Sequence, residues 1–201
     1  MAQDKTIQQT EETYSEQAAE LIRGWHTAQD EISNSPVSVE GELADLLTPA
    51  QRFQAEREMK AARASREADH YRRDYEELQE ARNDVVRDRV RALRKDLYAV
   101  ENADVLTRAA ATTDDQLREL AELSATTGSS ELGRAAFVVA DRRGLGGVLA
   151  SYFQANPEAH ALYEELQAAP SEETMERRLA DAATLFAAPT PMAYAPARTR
   201  A

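Results

Sequence analysis

The sequence predicts an all-α protein: one very long helix over about residues 48–102, a compact bundle of short helices after it, and an amphipathic helix before it. Three observations carry this. Strong helix formers (Ala, Leu, Glu, Arg, Gln) dominate, and runs of β-branched residues are almost absent. Apolar residues recur at steps of three and four along most of the chain. No Gly or Pro occurs between Gln51 and Thr127, whereas both punctuate the segments on either side.

Residues 1–10 are polar and expected to be mobile. From Thr13 an amphipathic segment carries Tyr14, Ala18, Leu21, Trp25, Ala28 and Ile32 on one face, and "SNSPVSVEG" (Ser33 to Gly41) ends it. "ELADLL" then forms a turn or two of helix or a strap. "TPAQ" at 48–51 is a helix start: Thr48 caps, Pro49 takes the first helical position, and Gln51 reaches back to complete a capping box. A helix from there to Asn102 holds 55 residues, roughly 80 Å at 1.5 Å per residue, too long for one globular core.

Its apolar stripe runs Tyr71, Tyr75, Leu78, Val85 or Val86, Val90, Leu93, Leu97 and Val100, nearer a 3.6 than a 3.5 period, with Arg82 interrupting it. Before Tyr71 the stripe thins to Phe53, Met59 and alanines, which leaves that end exposed or bound to a partner. The i,i+4 pairs Glu56–Lys60, Asp69–Arg73 and Arg72–Glu76 each contribute tenths of a kcal/mol.

Further on, "TDDQ" (Thr113 to Gln116) is a second capping box, and Gly128 is placed to close the helix it opens. The next helix starts at Ser129 or Ser130 and ends near Arg143, with Leu132, Ala136, Val139 and Ala140 inside. Beyond "GLGG" lies a short apolar helix with Val148, Leu149, Tyr152 and Phe153. "NPE" at 156–158 starts one with Leu162, Tyr163 and Leu166. Pro170-Ser171 starts the last, with Leu179, Ala183, Leu185 and Phe186. The chain thus divides into 1–47 (amphipathic helix and linker), 48–110 (rod), 111–188 (small helical domain) and 189–201 (Pro-rich basic tail, expected to be disordered).

The net charge of −12 argues against duplex nucleic acid or an anionic membrane as main partner. Residues 51–100 hold 13 basic and 11 acidic side chains, so the acidic excess belongs to the flanks. There is no cysteine, which excludes disulfides, thiol catalysis and thiolate metal sites. The opening "MAQDKTIQQTEETYSEQ" lacks the apolar core of a signal peptide, and no stretch approaches 18 apolar residues. A soluble, intracellular chain is expected.

Four motifs invite chemistry, and each has a plainer reading. Glu67 and His70 form a Glu-x-x-His pair, half of what a di-iron bundle uses, but His26 and His160 follow Arg23 and Pro157 at that spacing, so the motif is not repeated. A polar patch on a long helix is the better reading. "RRGLGGV" (Arg142 to Val148) lacks the preceding strand, the lysine and the hydroxyl of a phosphate loop. It reads as an interhelical corner, with Gly144 closing a helix and Gly146-Gly147 allowing close packing. A helix-turn-helix over 114–143 is disfavoured, since the second helix begins "SSELGRAA" and offers few base-reading side chains. Nucleophile arrangements are absent, so no catalytic, metal or cofactor site is expected and the chain is read as no enzyme. Trp25 is either a core anchor folding back on the rod or a hot spot for a partner.

The stretches "LTPAQRFQAEREMKAARASREADHYRRDYEELQEAR" and "TTDDQLRELAELSATTGSSELGRAAFVVADRRGLGGVLASYFQANPEAHALYEEL" resemble small all-helical proteins of tailed actinobacteriophages, many of them encoded among head and connector genes. The resemblance covers about residues 48–168. It implies a structural or assembly role in a virion, with no active-site residues to carry over.

The expected function is therefore that of a non-enzymatic, multi-copy virion protein of the head shell or head–tail junction, in the host cytoplasm during assembly. Its expected partners are capsid or portal/connector subunits and its own copies, with no membrane and no sequence-specific nucleic acid. The alternatives are a scaffolding or assembly chaperone for the capsid and a cellular helical adaptor. Leu21, Trp25, Tyr71, Tyr75, Leu78, Arg198 and Arg200 are the residues expected at its interfaces.

Overall fold

The computed structural model describes residues 6–40, 46–127 and 130–188. Within them lie eight helices and no strand: α1 (Ile7–Asn34), α2 (Pro49–Tyr98), α3 (Ala103–Ala111), α4 (Asp114–Thr127), α5 (Ser130–Arg143), α6 (Gly146–Ala155), α7 (Pro157–Gln167) and α8 (Glu172–Leu185). The long helix and the set of short ones are as the sequence predicts. The expected disordered tail, 189–201, lies outside the described residues.

The capping boxes form as read. Thr48 N–H donates to Gln51 Oε1 at 2.9 Å, and Gln51 N–H returns to Thr48 Oγ1 at 3.3 Å. Thr113 and Gln116 repeat this at 3.0 and 3.4 Å. A third box forms at the start of α1: Thr6 N–H donates to Gln9 Oε1 and Gln9 N–H to Thr6 Oγ1. It starts α1 at Ile7, six residues before the expected Thr13, and Ile7 is buried rather than part of a mobile arm. The long helix stops at Tyr98, not Asn102. Asn102 then caps a separate α3 by accepting from Asp104 N–H at 3.0 Å.

By contacts the chain forms two compact units, each discontinuous in sequence: residues up to Thr10 with Asp84–Pro170, and Glu11–Asn83 with the residues from Ser171 on.

In the first unit α5 is the central helix. Gly133 and every residue from Ala135 to Ala140 are buried, so α5 is apolar nearly all round, as a helix enclosed by others must be. On one side it packs with Ala109, Leu117, Ala121 and Val148 from α3, α4 and α6. On the other, Phe137 sits among Tyr98, Tyr152, Phe153 and Tyr163, with ring centroids 5.0–5.8 Å apart. Close approach is made at Gly133, where a Cβ would lie 2.6 Å from Ser124 Oγ on α4. It is not made at Gly146 or Gly147, whose added Cβ atoms would meet nothing nearer than 3.6 Å. Gly144 does close α5, with φ of +69° and Leu145 N–H bonded back to Ala140 C=O at 2.9 Å.

In the second unit α1, α2 and α8 enclose one cluster, Ala18, Trp25, Ala68, Tyr75, Ala182 and Phe186, flanked by Leu21, Tyr71 and Leu78. Met175, Ala182 and Phe186 are the buried residues at the α8 end of this unit. Ala183 and Leu185, expected inside, are exposed because they fall on the opposite side of the turn.

The buried face of α2 includes Ala64, Tyr75, Val86 and Leu97, spaced by eleven residues, close to the natural turn of a straight helix. Val86 is inside and Val85 outside. Arg82 does not interrupt the stripe but belongs to it, with only 2% of its side chain exposed.

Candidate interaction surface

In the second unit the partner-facing residues expected on α1 and α2 meet each other. Trp25, 1% exposed, lies 6.0 Å from the Tyr71 ring and 6.5 Å from Phe186, and Tyr75 lies 5.3 Å from Phe186. Leu21 and Leu78 pack half-buried beside them. Of the two readings of Trp25, the core anchor is the one observed. Gly24 lets the two helices approach, since a Cβ there would meet the Tyr71 ring at 3.0 Å. Arg198 and Arg200 lie outside the described residues.

The apolar side chains left in water are elsewhere. At the start of α2, Phe53 is 53% and Met59 49% exposed, and Leu46 just before it is more exposed still. The Arg57 guanidinium covers one face of the Phe53 ring at 5.8 Å. Around them the side chains are charged. Lys60 donates to the Ser33 carbonyl rather than pairing with Glu56. Farther along, Arg72 takes Asp69 at 2.7 Å, so the expected Asp69–Arg73 pair is not formed.

His70 does not approach Glu67. Its exposed ring lies 3.2 Å from Asp74 and 3.3 Å from Arg73, contacts of a solvated helix face. Among the described residues no group of three or more His, Asp or Glu is placed to hold a metal ion, and no helix is long and apolar enough to cross a membrane.

Three polar arrangements escaped the sequence reading. In the second unit, Arg82 donates to Glu11 and also to Gln79 and Asn83, while Arg178 donates to the other Glu11 oxygen at 3.0 Å. Burial pushes the Glu11 carboxyl up, and the Arg178 charge opposes this. In the first unit, Glu165 accepts both prongs of the Arg89 fork, at 2.9 and 2.8 Å, and caps α1 through Ile7 N–H at 2.9 Å. The Arg89 bonds hold its carboxyl below the ordinary range in spite of partial burial.

The third is the Asp141 carboxylate, which accepts Tyr98 and Tyr163 hydroxyls on separate oxygens, each at 2.7 Å. Burial and then the Asp141 bond raise the Tyr98 phenol; for Tyr163 the Asp141 bond comes first. Such long-range pairs leave no local signal, because their partners lie tens of residues apart.

The first unit also has an open cleft of about 650 Å³ lined by Lys95, Asp96, Leu97, Arg134, Tyr152 and Glu158. Its charges balance, and Arg134 is already engaged with the Ala99 carbonyl at 3.1 Å. The arrangement is that of a crevice between helices.

No protein-family model, no curated protein and no solved structure matches this chain.

Proposed function

We propose that the chain is a non-enzymatic structural protein of a tailed-phage virion, present in several copies in the head shell or the head–tail junction. The observation that supports this best is the start of α2, where Phe53 and Met59 stand in water beside a dense set of charges. A helix end that keeps large apolar groups exposed is suited to burial against another subunit. The likeness of residues 48–168 to helical proteins of actinobacterial tailed phages supplies the setting. The partners it fits are capsid or portal/connector subunits and further copies of itself.

The test is quantitative mass spectrometry of purified particles from the phage that encodes the chain. Several copies per mature particle support the reading. Presence in precursor shells with loss from mature ones replaces it with a scaffolding role. Absence from both overturns it in favour of a cellular adaptor.

A further inference from the structure

We propose that residues 49–67 of α2 pair antiparallel with the same segment of a second copy of this chain, about a two-fold axis between Met59 and Lys60. Arg52, Glu56, Arg63 and Glu67 are spaced by four, seven and four residues, a symmetric spacing with signs that invert on reversal. Laid antiparallel, Arg52 faces the second copy's Glu67 and Glu56 faces its Arg63, four attractive pairs in all. Laid parallel and in register, every one of these residues faces its own like charge.

Helical geometry gathers the four on one side of the helix, with Met59 between them. Arg52, Met59 and Arg63 are exposed, and Glu56 and Glu67 half-buried. That side turns away from buried Ala64 and Ala68, which pack toward the core of the second unit. Among the described residues Glu56, Arg63 and Glu67 engage no other side chain of their own chain. Ala55 and Ala62 flank Met59, so two such helices approach closely and bury the methionines, while the ion pairs select the direction. A contact of this size is weak and salt-dependent.

The chain has no cysteine, so single cysteines report the register in the full-length protein. With a short bis-maleimide at low salt, Met59→Cys is expected to cross-link to itself. Arg52→Cys alone is expected to stay monomeric and to cross-link when mixed with Glu67→Cys. Arg63→Glu is expected to weaken self-association at least tenfold, and so is Glu56→Lys. An equimolar mixture of these two restores it, since each then faces its opposite charge. Circular dichroism of each variant should match the parent, because the substituted residues lie on the outer side.

Self-cross-linking of Arg52→Cys as readily as Met59→Cys would overturn the antiparallel register. No cross-linking of Met59→Cys at any concentration, or no effect of Arg63→Glu, would overturn the pairing itself. The proposal stands on helix geometry and charge, so it fails or survives separately from the protein's presence in virions.

Discussion

Arg82 and Glu11 join in an ion pair whose arginine is almost wholly buried, 2% exposed against 28% for the glutamate. The two ends of the pair are therefore unequal. Removing Glu11 leaves a guanidinium in the interior with only Gln79 and Asn83 to receive it, whereas removing Arg82 leaves a carboxylate that water and Arg178 still reach. Urea unfolding should show Glu11→Ala costing about 3 kcal/mol. Arg82→Met, which fills the space without the charge, should cost less than half of that. Equal losses in the two variants would contradict the account.

The Arg89–Glu165 fork makes the first unit sensitive to acid. The Glu165 carboxyl titrates below its ordinary value of 4.5. Its contribution is thus fully present above about pH 4.5 and fades as pH falls through the lowered native value. Glu165→Gln should lose about 2 kcal/mol at neutral pH. The gap between the two proteins should close as unfolding is measured from pH 5 down to pH 3. A gap that stays constant over that range would remove Glu165 from the acid response.

Two glycines should respond oppositely to alanine. At Gly133 the new methyl group would lie 2.6 Å from Ser124 Oγ and 3.3 Å from the Tyr152 ring, so Gly133→Ala should cost about 1–3 kcal/mol. Gly146, at the first position of α6, has open space around it, and Gly146→Ala should gain about 0.5 kcal/mol. Thermal unfolding of both variants checks the pair.

Trp25 is the single tryptophan, and it reports on one unit. Its emission should be blue-shifted in the native protein and should move to the red when Phe186→Ala opens the cluster, a change expected to cost about 3–5 kcal/mol. Unchanged emission in that variant would place Trp25 elsewhere.

Val85 and Val86 settle the facing of α2. Val86→Asp buries an unpaired charge and should prevent stable folding, while Val85→Asp, on the wet side, should stay within about 0.5 kcal/mol of the parent. Circular dichroism and urea unfolding distinguish them.

Much of the fold is legible because local chemistry writes it. Thr48-Pro49-Ala50-Gln51 and Thr113–Gln116 announce their helices through side chains three residues apart, and the structure forms both boxes. The same Thr-x-x-Gln spacing at Thr6–Gln9 starts α1, but it lies in a segment whose polar composition points to a mobile arm. The break at Ala99–Asn102 is quiet because it contains neither Gly nor Pro, and only the Asn102–Asp104 cap marks it.

Burial was legible where apolar spacing dictated it, as at Tyr75, Leu93 and Leu97. It failed at Arg82, because a sequence shows an arginine without showing the Glu11 that neutralises it. Trp25 could be placed on the inner face of its helix, yet what covers it, Phe186, is 161 positions away. The exposed start of α2 was anticipated from the thinning stripe before Tyr71, and Phe53 and Met59 do stand in water.

Multi-angle light scattering of the full chain, over a wide concentration range and at low and high salt, tests the central claim that the exposed start of α2 meets other copies. The weight-average mass should rise with concentration from that of the monomer to at least twice that value, and added salt should lower it. A monomer at every concentration and salt would contradict the claim.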